Sequence, residues 1–127
     1  MKLLPTILSI SLLFVFCSFL SCEDDNATQE ADLLGKWNIT TAVRDSKPTT
    51  TMDGMYFEFA EEGQLTTNMT GEAETYQYEI DKEQILQRGG TIETDYKIES
   101  LLDNELVLST SLGGKPFRIT LAREIAN

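Results

Sequence analysis

The sequence contains no histidine, and its two cysteines, Cys17 and Cys22, lie in or beside an apolar N-terminal segment. Histidine is the commonest general base and the commonest transition-metal ligand, so its absence removes the usual means of acid–base catalysis. The chain beyond Cys22 has no thiol for a disulfide or a zinc site, and no spaced acidic loop of the calcium-binding kind. We therefore expect a protein that is not an enzyme, holds no metal or cofactor, and is stabilised by burying apolar surface.

Basic residues are also scarce, with 10 Lys and Arg against 21 Asp and Glu and a formal net charge of -11. A surface of this sign repels nucleic acid, which is therefore not expected as a partner. The acidity is typical of a solvated surface, with attraction of a cationic ligand as the alternative. Ser109 and Ser111 have no histidine to activate them, and the carboxylate pair Glu61-Glu62 falls in a predicted turn where solvent keeps its chemistry ordinary.

Long apolar runs are absent except at the N-terminus, where Met1-Lys2 precedes an almost unbroken run over residues 3–20. A short positive start followed by such a run is typical of an export signal. The run is also long enough to span a bilayer, so an uncleaved anchor is one alternative and ordinary secretion is another. Phe19-Leu20-Ser21-Cys22 resembles a bacterial lipobox, in which a small residue precedes the acylated cysteine. The resemblance implies a signal peptide over residues 1–21 and lipidation of Cys22.

Lipidated Cys22 would carry diacylglycerol and palmitate-type acyl chains, and two or more chains anchor a protein stably. Glu23-Asp24-Asp25 resembles the surface-export signal of Bacteroidetes-type lipoproteins, with a solvated tether as the alternative. Residues 22–32 are polar and poor in large apolar side chains, as a flexible tether is. The expected location is the bacterial outer membrane, where lipid on Cys22 holds the protein and the acidic signal would expose it at the cell surface.

Beyond Leu33 the chain alternates apolar and polar residues and is broken at short intervals by turn residues, which is the pattern of a sheet with one buried face. We expect one domain over residues 33–127 with eight strands, at residues 36–44, 55–59, 64–70, 74–80, 84–87, 91–101, 105–111 and 117–123. The first strand is expected to direct Trp37, Ile39, Thr41 and Val43 inward. A helical turn at residues 32–34 is expected to plug one open end.

Short connections between consecutive strands favour a meander, and eight antiparallel strands can close on themselves and so remove their edges. The predicted fold is therefore all-β, an eight-stranded antiparallel up-and-down barrel, and we expect a monomer. A two-sheet sandwich is the alternative, but it needs crossovers, for which only residues 45–54 offer the length.

Leu34-Gly35-Lys36-Trp37, at the start of the first strand, resembles the Gly-x-Trp motif of lipocalins, in which the tryptophan closes the barrel floor. Further segments are similar to the lipocalin-like domain family of Bacteroidetes-type lipoproteins: Tyr56-Phe57-Glu58-Phe59, Glu62-Gly63, Tyr78-Glu79-Ile80, Ile98-Glu99-Ser100-Leu101 and Leu106-Val107-Leu108. This resemblance implies an eight-stranded lipocalin-like barrel and a small apolar ligand.

The predicted inward face carries many large aromatic side chains: Trp37, Phe57, Phe59, Tyr76, Tyr78, Tyr96 and Phe117. An eight-stranded barrel is either packed solid or just wide enough for one small ligand. If a pocket exists, Trp37, Tyr76, Tyr78 and Tyr96 are its predicted lining, because a buried tyrosine hydroxyl needs a polar partner and tends to lie near a mouth.

Two functions follow from these alternatives. The first is a non-catalytic, membrane-tethered lipoprotein that binds a small apolar or amphipathic molecule in the barrel. The second is a surface module with a filled core, which binds a protein or glycan through loops such as residues 45–54 and acts in adhesion or inhibition.

Overall fold

A computed structural model describes residues 30–125, which form a sheet of nine strands, each antiparallel to its neighbours. The strands are β1 (Gly35–Arg44), β2 (Lys47–Pro48), β3 (Tyr56–Ala60), β4 (Gln64–Thr67), β5 (Glu74–Asp81), β6 (Gln84–Arg88), β7 (Thr94–Leu102), β8 (Glu105–Leu112) and β9 (Lys115–Arg123). Pairing of β9 with β1 closes the sheet, so the predicted eight-stranded antiparallel barrel is confirmed. The ninth strand is β2, a short addition that pairs with the last two residues of β1.

Burial along the strands shows why this sequence closes into a barrel. In β5, Tyr76 and Tyr78 are buried, whereas Thr75, Gln77 and Glu79 between and beside them are exposed. The same two-residue period recurs in β3 and β6. Because each strand has one apolar face, curling the sheet onto itself buries all of these faces together.

The barrel has two different ends. The N-terminal end is the one at which the chain enters β1, and it carries the tight turns at residues 61–63, 82–83 and 103–104. The loop end lies opposite and carries the connections at residues 45–55, 68–73, 89–93 and 113–114. The longest connections therefore gather at the loop end.

A helical turn at residues 30–33, close to the predicted position, closes the N-terminal end. The indole Nε1 of Trp37 donates a hydrogen bond to the carbonyl of Leu33 at 2.8 Å, and both residues are completely buried. The guanidinium of Arg123 lies 4.2 Å from the centre of the Trp37 ring and donates to the carbonyls of Leu34 and Asp32 at 2.6 and 2.7 Å. These contacts join the turn, β1 and β9 into one plug, with Trp37 at the barrel floor as predicted.

The predicted inward face of β1 is wrong beyond Ile39. The ladder between β1 and β9 shifts register between Ile39 and Thr41. One additional residue in a strand reverses which of the following side chains face inward. As a result Ala42 is buried, whereas Thr41 is exposed and Val43 is only partly buried.

A second register shift lies in β7, between Ile98 and Ser100. This shift also reverses which of the following side chains face inward, because the alternation of inward and outward residues restarts one residue later. Leu101 packs against the core, whereas Leu102 is 66% exposed.

Candidate functional site

The four residues predicted to line a pocket all lie inside the barrel, where they are part of its packing. Trp37 has no exposed surface, Tyr76 and Tyr96 are 1% exposed, and Tyr78 is 4% exposed. A side chain that borders a water-sized void keeps accessible surface, so other side chains fill the space beside these residues. Trp37 lies at the N-terminal end and Tyr76 near the loop end, so the four do not surround one site.

Aromatic rings fill the middle of the barrel. Phe57 meets Tyr96 edge to face with ring centres 5.4 Å apart, and Phe59 meets Tyr78 in the same way at 5.1 Å. The rings of Phe57 and Phe59 are stacked at 6.2 Å. These geometries are the ones that ring quadrupoles favour. The four rings therefore occupy the space in which a barrel ligand would lie.

A small buried polar network lies beneath the loop end, around Gln87, which has no exposed surface. Its Oε1 accepts a hydrogen bond from the Tyr96 hydroxyl at 2.9 Å, and its Nε2 donates to the Ile92 carbonyl at 2.7 Å. The sulfur of Met69 lies 3.5 Å from Nε2 and 3.6 Å from the Tyr96 hydroxyl. Burial raises the pKa of Tyr96 far above its usual range, so its hydroxyl stays a neutral donor.

The sequence analysis missed Gln87 as an interior residue. The only feature of the sequence that indicates burial of Gln87 is its position two residues after Ile85, which places both on the same face of β6.

Tyr76 is held at the rim of the loop end by Glu74. Its hydroxyl donates to one carboxylate oxygen at 2.8 Å and accepts from the Ile92 amide at 3.3 Å, while the other carboxylate oxygen accepts from the amide and the hydroxyl of Thr91. The hydrogen bond from Tyr76 lowers the pKa of Glu74, and burial raises the pKa of Tyr76. A Cβ at Gly90 would lie 2.4 Å from the Tyr76 ring, so this ring is tightly enclosed.

Two buried hydroxyls, those of Thr67 and Tyr78, have no hydrogen-bond partner within the described chain. Thr67 ends β4 at the loop end, whereas Tyr78 lies near Glu30 at the N-terminal end. Burial, which is the larger cause, and the negative charge of Glu30, which is the smaller one, together raise the pKa of Tyr78 to about 12. The two hydroxyls are therefore separate features and do not form one polar site.

The connection at residues 45–55 folds over the loop end. Met52 and Met55 are 7% and 8% exposed, and the amide of Met55 donates to the carbonyl of Met52 at 3.1 Å to close a tight turn. Asn68 fastens this turn, because its Nδ2 donates to the Gly54 carbonyl at 3.1 Å and its Oδ1 accepts from the Tyr56 amide at 3.0 Å. The loop thus covers the interior from this side.

A cleft of about 280 Å³ opens on the surface at the loop end, which we call the loop-end cleft. Its lining residues come from two neighbouring hairpins: Arg44, Asp45, Lys47, Pro48, Thr49 and Lys115. The hairpins adjoin because β1 pairs with β9, and the amide of Asp45 donates to the Pro116 carbonyl at 2.8 Å. The sequence analysis missed this cleft, since only closure of the barrel brings Lys115 beside Arg44.

Charge is distributed unevenly between the two ends. The N-terminal end carries four cations, Lys36, Lys82, Lys97 and Arg123, and nine carboxylates: Glu30, Asp32, Glu61, Glu62, Asp81, Glu83, Asp103, Glu105 and Glu124. The loop end is closer to balanced, because Arg44, Lys47 and Lys115 are all on it. Its cleft is therefore less negative than the rest of the surface.

Ser109, one of the two serines considered in the sequence, lies beside a carboxylate. Ser109 donates a hydrogen bond to Glu99 at 2.6 Å, and this bond lowers the pKa of Glu99 and makes it a weaker base. Within residues 30–125, no group of three or more His, Cys, Asp or Glu side chains could hold a metal ion. No helix in the same part of the chain has the length and apolar character needed to cross a membrane.

The fold and these sites define a class, a closed antiparallel β-barrel with a filled interior. Comparison with protein-family models, with curated proteins and with solved structures finds no match to the chain. Cys22 and the predicted signal peptide lie outside the described residues, so lipidation stays a prediction.

Proposed function

We propose that the protein is a lipid-anchored, non-catalytic, lipocalin-like lipoprotein of the outer membrane that binds a protein or glycan through its loop end. The observation that carries this proposal is the filled barrel, in which Trp37, Phe57 and Tyr96 are at most 1% exposed. A ligand in the barrel has to displace side chains of this size, and each contributes about 1.5 to 3 kcal/mol by its burial. Binding on the outside of the loop end requires no such displacement.

The position of the predicted anchor also favours the loop end as the binding surface. The chain enters the barrel at the N-terminal end, and the eight residues 22–29 extend at most about 3.5 Å each between the acylated cysteine and the barrel. Lipid on Cys22 therefore leaves the loop end directed away from the membrane.

A small amphipathic ligand inside the barrel is the second candidate. Met52, Met55 and Met69 lie at the loop end, and methionine is the apolar side chain that repacks most easily. The unpartnered hydroxyl of Thr67 lies at the same end and would gain a hydrogen bond from such a ligand. This function requires residues 45–55 to open.

Native mass spectrometry separates the two candidates. The acylated protein is extracted from membranes in a non-ionic detergent, and we expect the mass of the acylated polypeptide alone. A small molecule that is retained and then released on unfolding would overturn the proposal in favour of the second candidate.

The same preparation is tested against immobilised glycans and extracellular proteins. We expect binding that Thr50→Glu, in the exposed part of the 45–55 loop, weakens. Asn104→Glu makes the same charge change at an exposed turn of the N-terminal end and should leave binding unchanged. Equal effects of the two variants would show that the loop end is not the binding surface.

A further inference from the structure

The loop-end cleft gathers three cations, Arg44, Lys47 and Lys115, all of them exposed. The ion pairs within residues 30–125 are made by other residues, Lys36 with Glu124 and Arg88 with Asp95. In a chain with 21 acidic residues, cations placed beside carboxylates would be stabilised by attraction. These three cations make no ion pair in the described chain and share the cleft with a single carboxylate, that of Asp45, so the cleft has a net positive charge that attracts anions.

The hairpin that carries two of these cations is itself locally unfavourable. Arg44 and Lys47 are direct cross-strand partners, and like charges in that position destabilise a ladder. The turn that joins them, Asp45-Ser46, has φ angles of 53° and 69°, in the left-handed region where Asn and Gly are preferred. An anion bound between Arg44 and Lys47 would remove the repulsion between them.

The cations also continue the inward-facing rows of the barrel beyond its rim. Arg44 follows buried Ala42 by two residues and is therefore on the same face of β1. Lys115 precedes Phe117 by two residues and is therefore on the same face of β9 as Phe117. Arg44 is the register partner of Phe117, with its guanidinium carbon 6.0 Å from the ring centre. The cleft thus combines cationic walls with the apolar ring of Pro48, and this suits an anionic group on a body with apolar C–H surface.

We infer that the loop-end cleft binds a compact oxyanion, a phosphate or sulfate ester, carried by a glycan. The three cations supply charge-assisted hydrogen bonds to the oxyanion. Asp45 and Thr49, in the same cleft, supply an acceptor and a hydroxyl for the sugar. This inference rests on the proposed function, because it names the ligand class of the same end of the barrel.

The position and surroundings of the cleft disfavour other sources of the oxyanion. The repeated phosphates of a nucleic acid would meet an acidic surface outside the cleft, in a chain of net charge -11. A membrane headgroup is disfavoured because the cleft lies at the end opposite to the one at which the chain enters the barrel. A glycan presented away from the membrane meets neither obstacle.

The test titrates the isotope-labelled acylated protein, in non-ionic detergent, and follows its amide signals and binding isotherm. The titrants are a sulfated oligosaccharide, its unsulfated form, inorganic phosphate and glycerophosphoglycerol, the soluble headgroup of phosphatidylglycerol. We expect the sulfated oligosaccharide to bind and to shift the amide signals of Arg44, Lys47 and Lys115, with inorganic phosphate competing. The unsulfated form and the headgroup should not bind.

Variants in which an uncharged glutamine replaces a lysine show where the oligosaccharide binds. Lys47→Gln and Lys115→Gln should each weaken binding of the sulfated oligosaccharide about tenfold, since each removes a hydrogen bond to a charged group. Lys82→Gln is the matched control, because Lys82 is also an exposed lysine but lies at the N-terminal end. It should leave the affinity within about twofold.

Three results would overturn the inference: unchanged amide signals at the cleft, equal affinities of the Lys47 and Lys82 variants, or binding of the lipid headgroup in place of the glycan. Binding of an uncharged glycan or a protein, lost in Thr50→Glu and kept in Lys47→Gln, would also overturn it but would leave the proposed function standing. A small molecule retained in the barrel would overturn the proposed function itself.

Discussion

Tyr78 and Tyr96 show how differently two buried tyrosines of one barrel are satisfied. The hydroxyl of Tyr96 donates to Gln87 at 2.9 Å, whereas that of Tyr78 has no partner in the described chain. Both rings pack edge to face against a phenylalanine, Phe57 for Tyr96 and Phe59 for Tyr78. The two residues therefore differ mainly in what their hydroxyls contribute.

Removing each hydroxyl should have unequal effects. Tyr96→Phe leaves the Oε1 of Gln87 buried without its donor, so we expect a loss of about 1 to 3 kcal/mol in the free energy of unfolding. Tyr78→Phe removes a hydroxyl that makes no hydrogen bond and should change this free energy by less than about 0.5 kcal/mol, or raise it. Urea unfolding of the two variants measures the difference.

The two variants control each other, since both remove one oxygen from a buried ring. A loss for Tyr78→Phe as large as that for Tyr96→Phe would mean that the Tyr78 hydroxyl does contribute to stability, and the assignment of Tyr78 as pure packing would be wrong.

At the scale of the elements, the two register shifts decide which side chains form the core. The shift in β1 turns Ala42 inward, and the shift in β7 turns Leu101 inward and leaves Leu102 exposed. The same β1 shift sets the face on which Arg44 leaves the barrel. The one additional residue in β1 therefore affects both the core and the loop-end cleft.

The junction of β9 with the helical turn is the element contact most sensitive to one substitution. Arg123→Ala removes two hydrogen bonds to the carbonyls of Leu34 and Asp32 and the cation over Trp37. We expect a loss of about 2 to 3 kcal/mol in the free energy of unfolding, and emission of Trp37 shifted to the red as residues 30–33 detach. Because Trp37 is the one tryptophan of the chain, its fluorescence reports on this junction alone.

Arg118→Ala is the control for this experiment. Arg118 lies on the same strand but is exposed and makes no ion pair within residues 30–125, so its removal should change stability by less than about 0.5 kcal/mol. An unshifted emission of Trp37 in Arg123→Ala would contradict the role that we give to Arg123.

At the scale of the whole molecule, the two ends of the barrel are suited to different surroundings. The N-terminal end is acidic, carries tight turns and receives the predicted tether. The loop end carries the long connections and the cationic cleft. The predicted attachment through Cys22 would determine which of the two ends a partner in the medium can reach.

The anchor is tested by processing of the two cysteine variants. We expect the wild-type N-terminal peptide to begin at Cys22 and to carry a diacylglycerol mass, and Cys22→Ser to lack lipid and to retain residues 1–21. Cys17→Ser is the matched control and should be processed like the wild type, since Cys17 lies inside the predicted signal peptide. Mass spectrometry of the N-terminal peptide decides the matter, and a mature chain that begins elsewhere would refute the lipobox assignment.

The sequence by itself determined the strands and their closure. The alternation Tyr76-Gln77-Tyr78 and the glycine pairs at the turns are local properties of the chain, and eight consecutive strands with one apolar face have few ways to bury it. The position of Trp37 at the floor was implied by the resemblance of Leu34-Gly35-Lys36-Trp37 to the lipocalin motif, and Trp37 is the first large inward residue of the first strand.

The tertiary structure alone decided what depends on residues far apart in the chain. Local alternation cannot show a register shift between β1 and β9, so Thr41 and Val43 were assigned to the wrong face. Whether the barrel is filled depends on how Phe57 meets Tyr96 and how Phe59 meets Tyr78 across it, and the two rings of each pair lie on different strands. The loop-end cleft exists only because closure brings Lys115 beside Arg44, and such proximity is set by strand pairing and not by any motif.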